Sequence, residues 1–203
     1  MVVLKKKLLD SSIRLISNNN NYTQDQLDII AYGLEAIYLT ITKMIVIFCI
    51  SYFLGIIKEV ITLLITYNII RSQAFGIHAS KSSYCLISSL IFFVGGTFIC
   101  KYIVISRFVM LIISLICDAC LFIYAPADTY KRPLINTKKR KRFKILSCLM
   151  GIIYTVLIFV LHNNYVANYL LVGMLIEVLM ILPVTYKIFK LPYNNYKNYK
   201  YGV

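Results

Sequence analysis

The longest uncharged stretch of the chain constrains its fold more than any other feature. Residues 145–176 contain no Asp, Glu, Lys or Arg and are mostly apolar. A helix crosses a bilayer in about 20 residues, so this stretch is too long for one crossing. A turn at His162-Asn163-Asn164 would divide it into two. The stretch therefore predicts a membrane-embedded helical hairpin.

Further apolar segments extend this prediction to the whole chain. They predict an all-α, polytopic membrane helical bundle of about six transmembrane segments, with residues 1–203 forming a single integral membrane domain. The second segment is short for a full crossing, so four crossings with two partial insertions is the alternative. The six segments are residues 36–57, 60–70, 82–100, 103–124, 145–161 and 169–186.

The N-terminal residues 1–20 have the pattern of a surface helix. Leucine and isoleucine fall on one half of a helical wheel, and most of the charged residues fall on the other half. We expect either an amphipathic helix on the cytoplasmic face of the bilayer or a helix packed on its own membrane domain. Thr23 and Gln26 then have the spacing of a capping box that begins the next helix.

The distribution of basic residues predicts the orientation of the chain. Lys and Arg number 22 against 8 Asp and Glu, a net charge of +14. They lie between apolar runs rather than along one soluble face, which argues against nucleic-acid binding. Residues 125–144 form a strongly basic loop, which the positive-inside rule places in the cytoplasm together with both termini. Such a loop either attracts acidic partners, anionic membrane lipid among them, or is a topology signal and nothing more.

The polar segment 71–85 carries the candidate catalytic groups, His78 and Cys85. If Ser82 caps the following helix, Cys85 is its third residue, where the helix dipole favours a thiolate. Residues seven apart on one helix are about 10 Å apart along its axis, so a His–Cys hydrogen bond requires His78 to lie off the helix. The spacing alone leaves two interpretations open: a nucleophile with its base, or a loop histidine and a buried cysteine.

Two motifs resemble those of the AgrB family, the accessory gene regulator B membrane peptidases of quorum sensing. The first is Arg71-x4-Gly76-x-His78-x6-Cys85. The second is the Pro-x-Asp-Thr sequence of residues 126–129, which precedes the basic loop. The family usually has two consecutive glycines in the first motif, whereas here Phe75 precedes Gly76.

This resemblance implies a cysteine endopeptidase of the bacterial cell membrane with a cytoplasmic site. Cys85 would cleave the C-terminal tail from a small AgrD-like precursor peptide through a thioester, and His78 would be its base. The precursor would then cyclise to an autoinducing peptide. The resemblance also implies a homodimer. We predict no cofactor, and with only two histidines and no clustered ligands we predict no metal site.

Three further residues have possible supporting roles. Arg71 is either a ligand for a substrate carboxylate or backbone, or a positively charged topological anchor. Gly76 would provide backbone freedom or close approach. Asp128 would either orient His78 or form a turn and cap the next element.

Glu177, midway along the last apolar segment, supports an alternative function. A carboxyl group at that depth is costly and is usually paired, for which Lys43 or a tyrosine hydroxyl are candidate partners. It would act either as a structural clasp or, with Asp118 and Lys43, in a transport path. The alternative to a peptidase is therefore a non-enzymatic membrane protein such as a peptide exporter or transporter subunit.

Overall fold

The described part of the chain is built from α-helices. The structure, a computed structural model, describes residues 23–77, 82–129, 133–161 and 164–198. Over these residues it confirms the predicted all-α membrane bundle. The predicted surface helix of residues 1–20 lies outside the described residues, as do His78 and His162.

Eight α-helices are described, and we number them in chain order. A π-helical turn, Ile91–Gly95, joins α3 to α4, and a 3-10 turn, Asn195–Asn198, follows the last helix. The helices are α1 (Gln24–Phe53), α2 (Ile57–Ala74), α3 (Ser82–Leu90), α4 (Gly96–Tyr102), α5 (Arg107–Tyr124), α6 (Thr137–Val160), α7 (Asn164–Ile181) and α8 (Pro183–Ile188).

The chain divides into two compact units, one ending at Ile50 and the other beginning at Ser51. In the first unit, the described residues belong almost entirely to α1. The backbone N–H of Thr23 donates to the Gln26 side-chain oxygen at 3.0 Å, which is one half of the predicted capping box. The prediction of a single domain over the whole chain stays a prediction.

Four helical stretches among the described residues are long and apolar enough to cross a membrane. The last two, in α6 and α7, are separated only by residues 161–163, as the predicted hairpin requires. Residues 37–53 of α1 form a shorter apolar stretch. Six crossings therefore stay a prediction. The four candidate spans are Tyr84–Tyr102, Arg107–Tyr124, Thr137–Val160 and Asn164–Ile181.

Helix α7 is the centre of the second unit. It packs against α2, α4, α5 and α6, and 67% of its apolar stretch is buried, against 28% or less for the other three candidate spans. A helix that is apolar on all sides is suited to such a central position. Helices α5 and α6 instead present exposed large apolar side chains, as membrane-facing helices do: Phe108, Leu115, Phe122, Leu149 and Phe159.

Helices α5 and α6 approach closely at a polar contact. The Thr155 hydroxyl donates to the Asp118 carboxylate at 2.7 Å. A Cβ atom at Gly151 would collide with the same carboxylate and would lie 2.8 Å from Leu121. Gly151 therefore permits the approach that brings Asp118 within reach of Thr155.

Candidate functional site

The Arg71 side chain holds the backbone that follows α2. Its Nη1 donates to the carbonyl oxygen of Phe75, and its Nη2 donates to those of Gly76 at 3.2 Å and Ile77 at 2.6 Å. Only 13% of the side chain is exposed. The guanidinium, with its fixed array of donors, thus satisfies three consecutive carbonyl groups where the helix can no longer do so.

Glu177 of α7 supplies the opposite charge. Its Oε2 lies 3.6 Å from Arg71 Nη1, and its side chain is completely buried. We call Arg71, the three carbonyl groups of residues 75–77 and the Glu177 carboxylate the Arg71 clamp. The partner of Glu177 is thus Arg71, and the expectation of Lys43 or a tyrosine hydroxyl in that place is wrong.

Gly76 occupies a position that no other residue fits. Its φ is +111°, a conformation that L side chains rarely adopt. A Cβ atom there would collide with the Arg71 guanidinium and would lie 2.9 Å from the carbonyl oxygen of Met180. Both the local conformation and the close approach of α7 therefore require glycine.

Phe75 adopts a backbone conformation more typical of glycine, with φ +63° and ψ −128°. Such a conformation costs a side-chain-bearing residue about 1–3 kcal/mol. The Phe75 ring packs edge-to-face on Phe143 of α6, with centroids 4.8 Å apart, and such a pair contributes about 0.5–1.5 kcal/mol. This aromatic contact offsets part of the strain at Phe75.

The loop at residues 75–77 is also fixed by its neighbours. The Ile77 N–H donates to the Met180 carbonyl near the end of α7 at 3.1 Å. The Gly76 N–H donates to the Ala127 carbonyl at 2.8 Å, and the Ala127 N–H donates back to Ala74 at 2.9 Å, which forms a short parallel bridge. The backbone is therefore held from two sides up to the residue before His78.

Cys85 lies close to the beginning of α3. The described residues of this helix begin at Ser82, and Cys85 is half-buried. Its predicted position as the third residue of the helix stays a prediction. The pairing of Cys85 with a histidine stays a prediction.

Asp128 is buried, with 4% of its surface exposed. Its Oδ1 accepts from the Asn195 N–H at 3.0 Å, and its Oδ2 accepts from those of Tyr196 at 2.8 Å and Leu134 at 3.3 Å. The Tyr186 hydroxyl donates to the Asp128 carbonyl at 2.9 Å. These contacts attach the C-terminal segment to the 125–129 segment. The cap of the next helix, α6, is Asn136, whose side chain accepts from the Lys139 N–H at 3.0 Å, rather than Asp128.

Metal-binding side chains are scattered over the described residues. No group of three or more His, Cys, Asp or Glu among them is close enough to share one ion. The six cysteines are free, and Cys117 and Cys120 lie one turn apart on α5 without forming a disulfide.

Comparison with known proteins gives matches that all name the same family. The family model described as Accessory gene regulator B matches residues 10–181. A putative AgrB-like protein of Clostridium acetobutylicum is 34% identical over 168 residues, 83% of this chain and 80% of that protein. A putative AgrB-like protein of Listeria innocua is 31% identical over 177 residues, 84% of each chain.

A third relative has the family's own name. The accessory gene regulator protein B of Staphylococcus aureus is 31% identical over 176 residues, 87% of this chain and 93% of that protein. No solved structure matches the chain.

Proposed function

The chain belongs to the accessory gene regulator B family, and from that membership we propose that it is a membrane cysteine endopeptidase that processes a small AgrD-like precursor peptide. Family membership supports a role in accessory gene regulation during quorum sensing. In our proposal His78 and Cys85 form the catalytic dyad, and the precursor's C-terminal tail is the part removed.

The first half of the reaction forms a thioester. His78 takes the Cys85 thiol proton, and the sulfur attacks the carbonyl carbon of the scissile peptide bond. The C–N bond then breaks, and the His78 imidazolium gives its proton to the departing amine. The products are the free tail and a thioester that joins the precursor's N-terminal part to Cys85.

The second half closes a ring. A Cys or Ser side chain within the bound precursor loses its proton to His78 and attacks the thioester carbonyl. The Cys85 sulfur leaves and is reprotonated, and the peptide is released as a thiolactone or lactone. An internal nucleophile has a high effective concentration, which lets it compete with water. Shielding of Cys85 at the membrane surface would suppress hydrolysis further.

The observation that carries this proposal is the Arg71 clamp. It holds the backbone through Ile77, the residue immediately before His78. Cys85 follows eight residues after Ile77, close to the described beginning of α3. A base and a nucleophile need defined relative positions. A rigid backbone on one side and a helix start on the other provide two fixed ends for the short segment between them.

The transport alternative depends on the polar residues within the bundle. Glu177 pairs with Arg71, and Asp118 accepts a hydrogen bond from Thr155. Contacts between helices are therefore enough to account for the presence of both carboxyl groups inside the bundle. A transport path is not needed to explain them, and this favours the peptidase.

The decisive experiment is the intact mass of the protein after co-expression with a candidate AgrD-like precursor peptide. We expect a hydroxylamine-sensitive adduct of the precursor's N-terminal part on the wild-type protein. We expect none on Cys85→Ala, and less than a hundredth of the wild-type amount on His78→Ala, because general base catalysis contributes about 10²–10⁴-fold.

Cys120→Ala and Cys148→Ala are matched controls, because these cysteines are half-buried like Cys85. We expect both to keep the adduct. Cleavage of the precursor that persists in Cys85→Ala would refute the dyad and favour the transport function.

A further inference from the structure

A basic pocket opens where α5 ends and α6 begins. Its volume is about 570 Å³. Three cationic and three tyrosine side chains line it, and no Asp or Glu is among its lining residues. The lining comprises Ile123, Tyr124, Ala125, Pro126, Thr137, Arg140, Lys141, Lys144, Tyr193, Asn194 and Tyr196.

Arg140 is held in place with its donors free. Its guanidinium carbon lies 3.2 Å from the centroid of the Tyr196 ring, a stacked cation–π contact. Asp128 in turn fixes the Tyr196 backbone at 2.8 Å. No hydrogen bond joins the Arg140 guanidinium to an acceptor in the described ranges. A stacked guanidinium directs its N–H groups outward in one plane, which suits the oxygen atoms of a phosphate.

The two lysines of the basic pocket differ in their hydrogen bonds and in their exposure. Lys144 donates to the carbonyl oxygens of Phe122 and Ile123 in the last turn of α5, the second at 3.4 Å. Lys141 is exposed one turn earlier on α6. Lys144 therefore contributes charge from a fixed position, whereas Lys141 is free to approach a ligand.

Exposed apolar side chains follow the basic residues along α6. Lys141, Ile145 and Leu149 are four residues apart and so share one face of α6, and Ile145 and Leu149 are 58% and 47% exposed. Phe122 and Ile123 of α5 are also exposed, and Ile123 is one of the pocket residues. Both helices are candidate membrane spans. The first turns of α6 are thus cationic, and exposed apolar side chains follow further along the same helix.

We propose that the basic pocket binds an anionic phospholipid. The phosphate lies against Arg140 and Lys141, and an acyl chain lies along Ile145 and Leu149. Basic pockets between membrane helices are typical sites for such headgroups. A soluble acidic peptide or a free phosphate would use the charges but leave the apolar surface uncovered. This proposal goes beyond the peptidase activity and does not depend on it.

The test is lipid binding by the full-length protein in a non-ionic detergent. Phosphatidylglycerol is titrated against phosphatidylcholine, and bound lipid is measured by native mass spectrometry. We expect phosphatidylglycerol to bind, and Arg140→Gln/Lys141→Gln to weaken it about tenfold or more, because each nearby cation contributes about 1 kcal/mol. Lys138→Gln/Lys139→Gln removes the same charge from exposed positions outside the pocket and should weaken binding less than twofold.

One further variant and two competing ligands distinguish lipid binding in this pocket from diffuse charge attraction and from binding of a soluble anion. Because Arg140 also contacts Tyr196, Lys141→Gln alone tests an exposed side chain, and we expect several-fold weaker binding with unchanged thermal stability. Equal losses in the two double variants would overturn the proposal in favour of diffuse charge attraction. So would glycerol phosphate binding as tightly as the lipid, or a poly-glutamate peptide displacing the lipid.

Discussion

Glu177 and Asp128 are both buried carboxylates, but they are held in different ways. Glu177 has one charged partner, Arg71, at 3.6 Å, and its oxygen atoms make no hydrogen bond within the described residues. Asp128 has no charged partner among the described residues and accepts three backbone N–H groups at 2.8–3.3 Å. One is a charge pair between two helices, and the other is a set of hydrogen bonds between loops.

This difference determines how far the effect of a substitution should extend. A buried ion pair that loses one member leaves the other charge without compensation, which costs several kcal/mol. A carboxylate bound by backbone N–H groups loses those hydrogen bonds locally. Changes at the Arg71 clamp should therefore affect the whole bundle and the site, whereas changes at Asp128 should affect the C-terminal segment.

The largest effect is expected for Arg71→Leu. It removes the donors for three carbonyl groups and leaves Glu177 unpaired, so we expect a loss of about 3–5 kcal/mol of stability. Unfolding of the full-length protein in detergent micelles measures this loss. Arg107→Leu, at an exposed arginine where α5 begins, is the matched control and should change stability by less than about 0.5 kcal/mol.

The double variant Arg71→Leu/Glu177→Leu tests the charge pair itself. Because it removes both charges, we expect it to be more stable than Arg71→Leu by about 2 kcal/mol. A double variant no more stable than the single one would mean that Glu177 does not need the guanidinium.

The next effect is expected for Gly76→Ala. The added methyl group combines a strained φ with contacts on Arg71 and Met180, which should cost about 2–4 kcal/mol. Gly55→Ala is the control, because Gly55 has a φ of +66° with no atom near its Cβ position, and it should cost about 1 kcal/mol. The difference between the two variants in thermal unfolding measures the cost of the steric contacts with Arg71 and Met180. Equal losses of stability would show that these contacts are unimportant.

A smaller and more local effect is expected for Asp128→Asn. The charge and one acceptor oxygen are lost, at a cost of about 1.5–3 kcal/mol. Hydrogen exchange at the Asn195 and Tyr196 amides should accelerate, while that at Gly76 and Ile77 should not. Loss of precursor cleavage without any change in exchange would instead support the other predicted role of Asp128, orientation of His78.

The smallest effect is expected for Phe75→Gly. Relief of the backbone strain and loss of the ring contact with Phe143 oppose each other, so stability should change by about 1 kcal/mol or less. Phe143→Leu removes the aromatic pair without relieving strain and should lower stability by about 0.5–1.5 kcal/mol. The melting temperatures of the two variants measure the balance between backbone strain and the aromatic contact. A larger loss of stability in Phe75→Gly than in Phe143→Leu would contradict this expectation.

The helical architecture could be predicted because membrane-spanning backbone must satisfy its own hydrogen bonds. Residues 145–176 illustrate this: their length and lack of charge required two helices, and α6 and α7 are separated at residues 161–163.

The partner of Glu177 could not be predicted in the same way. The sequence indicates that a carboxyl group at that depth needs a partner, but packing decides whether Lys43 or Arg71 is near it. Asp128 presents the same problem, since two of its three donors come from Asn195 and Tyr196. Local rules suggested a turn there, and only the tertiary contacts show what that turn holds.

The Arg71 clamp joins an early helix to one made much later. Glu177 leaves the ribosome 106 residues after Arg71, which corresponds to roughly 5–20 s at ordinary translation rates. Until α7 is inserted, the guanidinium lacks its counter-charge, and the Ile77 N–H lacks the Met180 carbonyl. The site is therefore completed late in synthesis, and a chain truncated before α7 would carry His78 and Cys85 without the contacts that hold the segment between them.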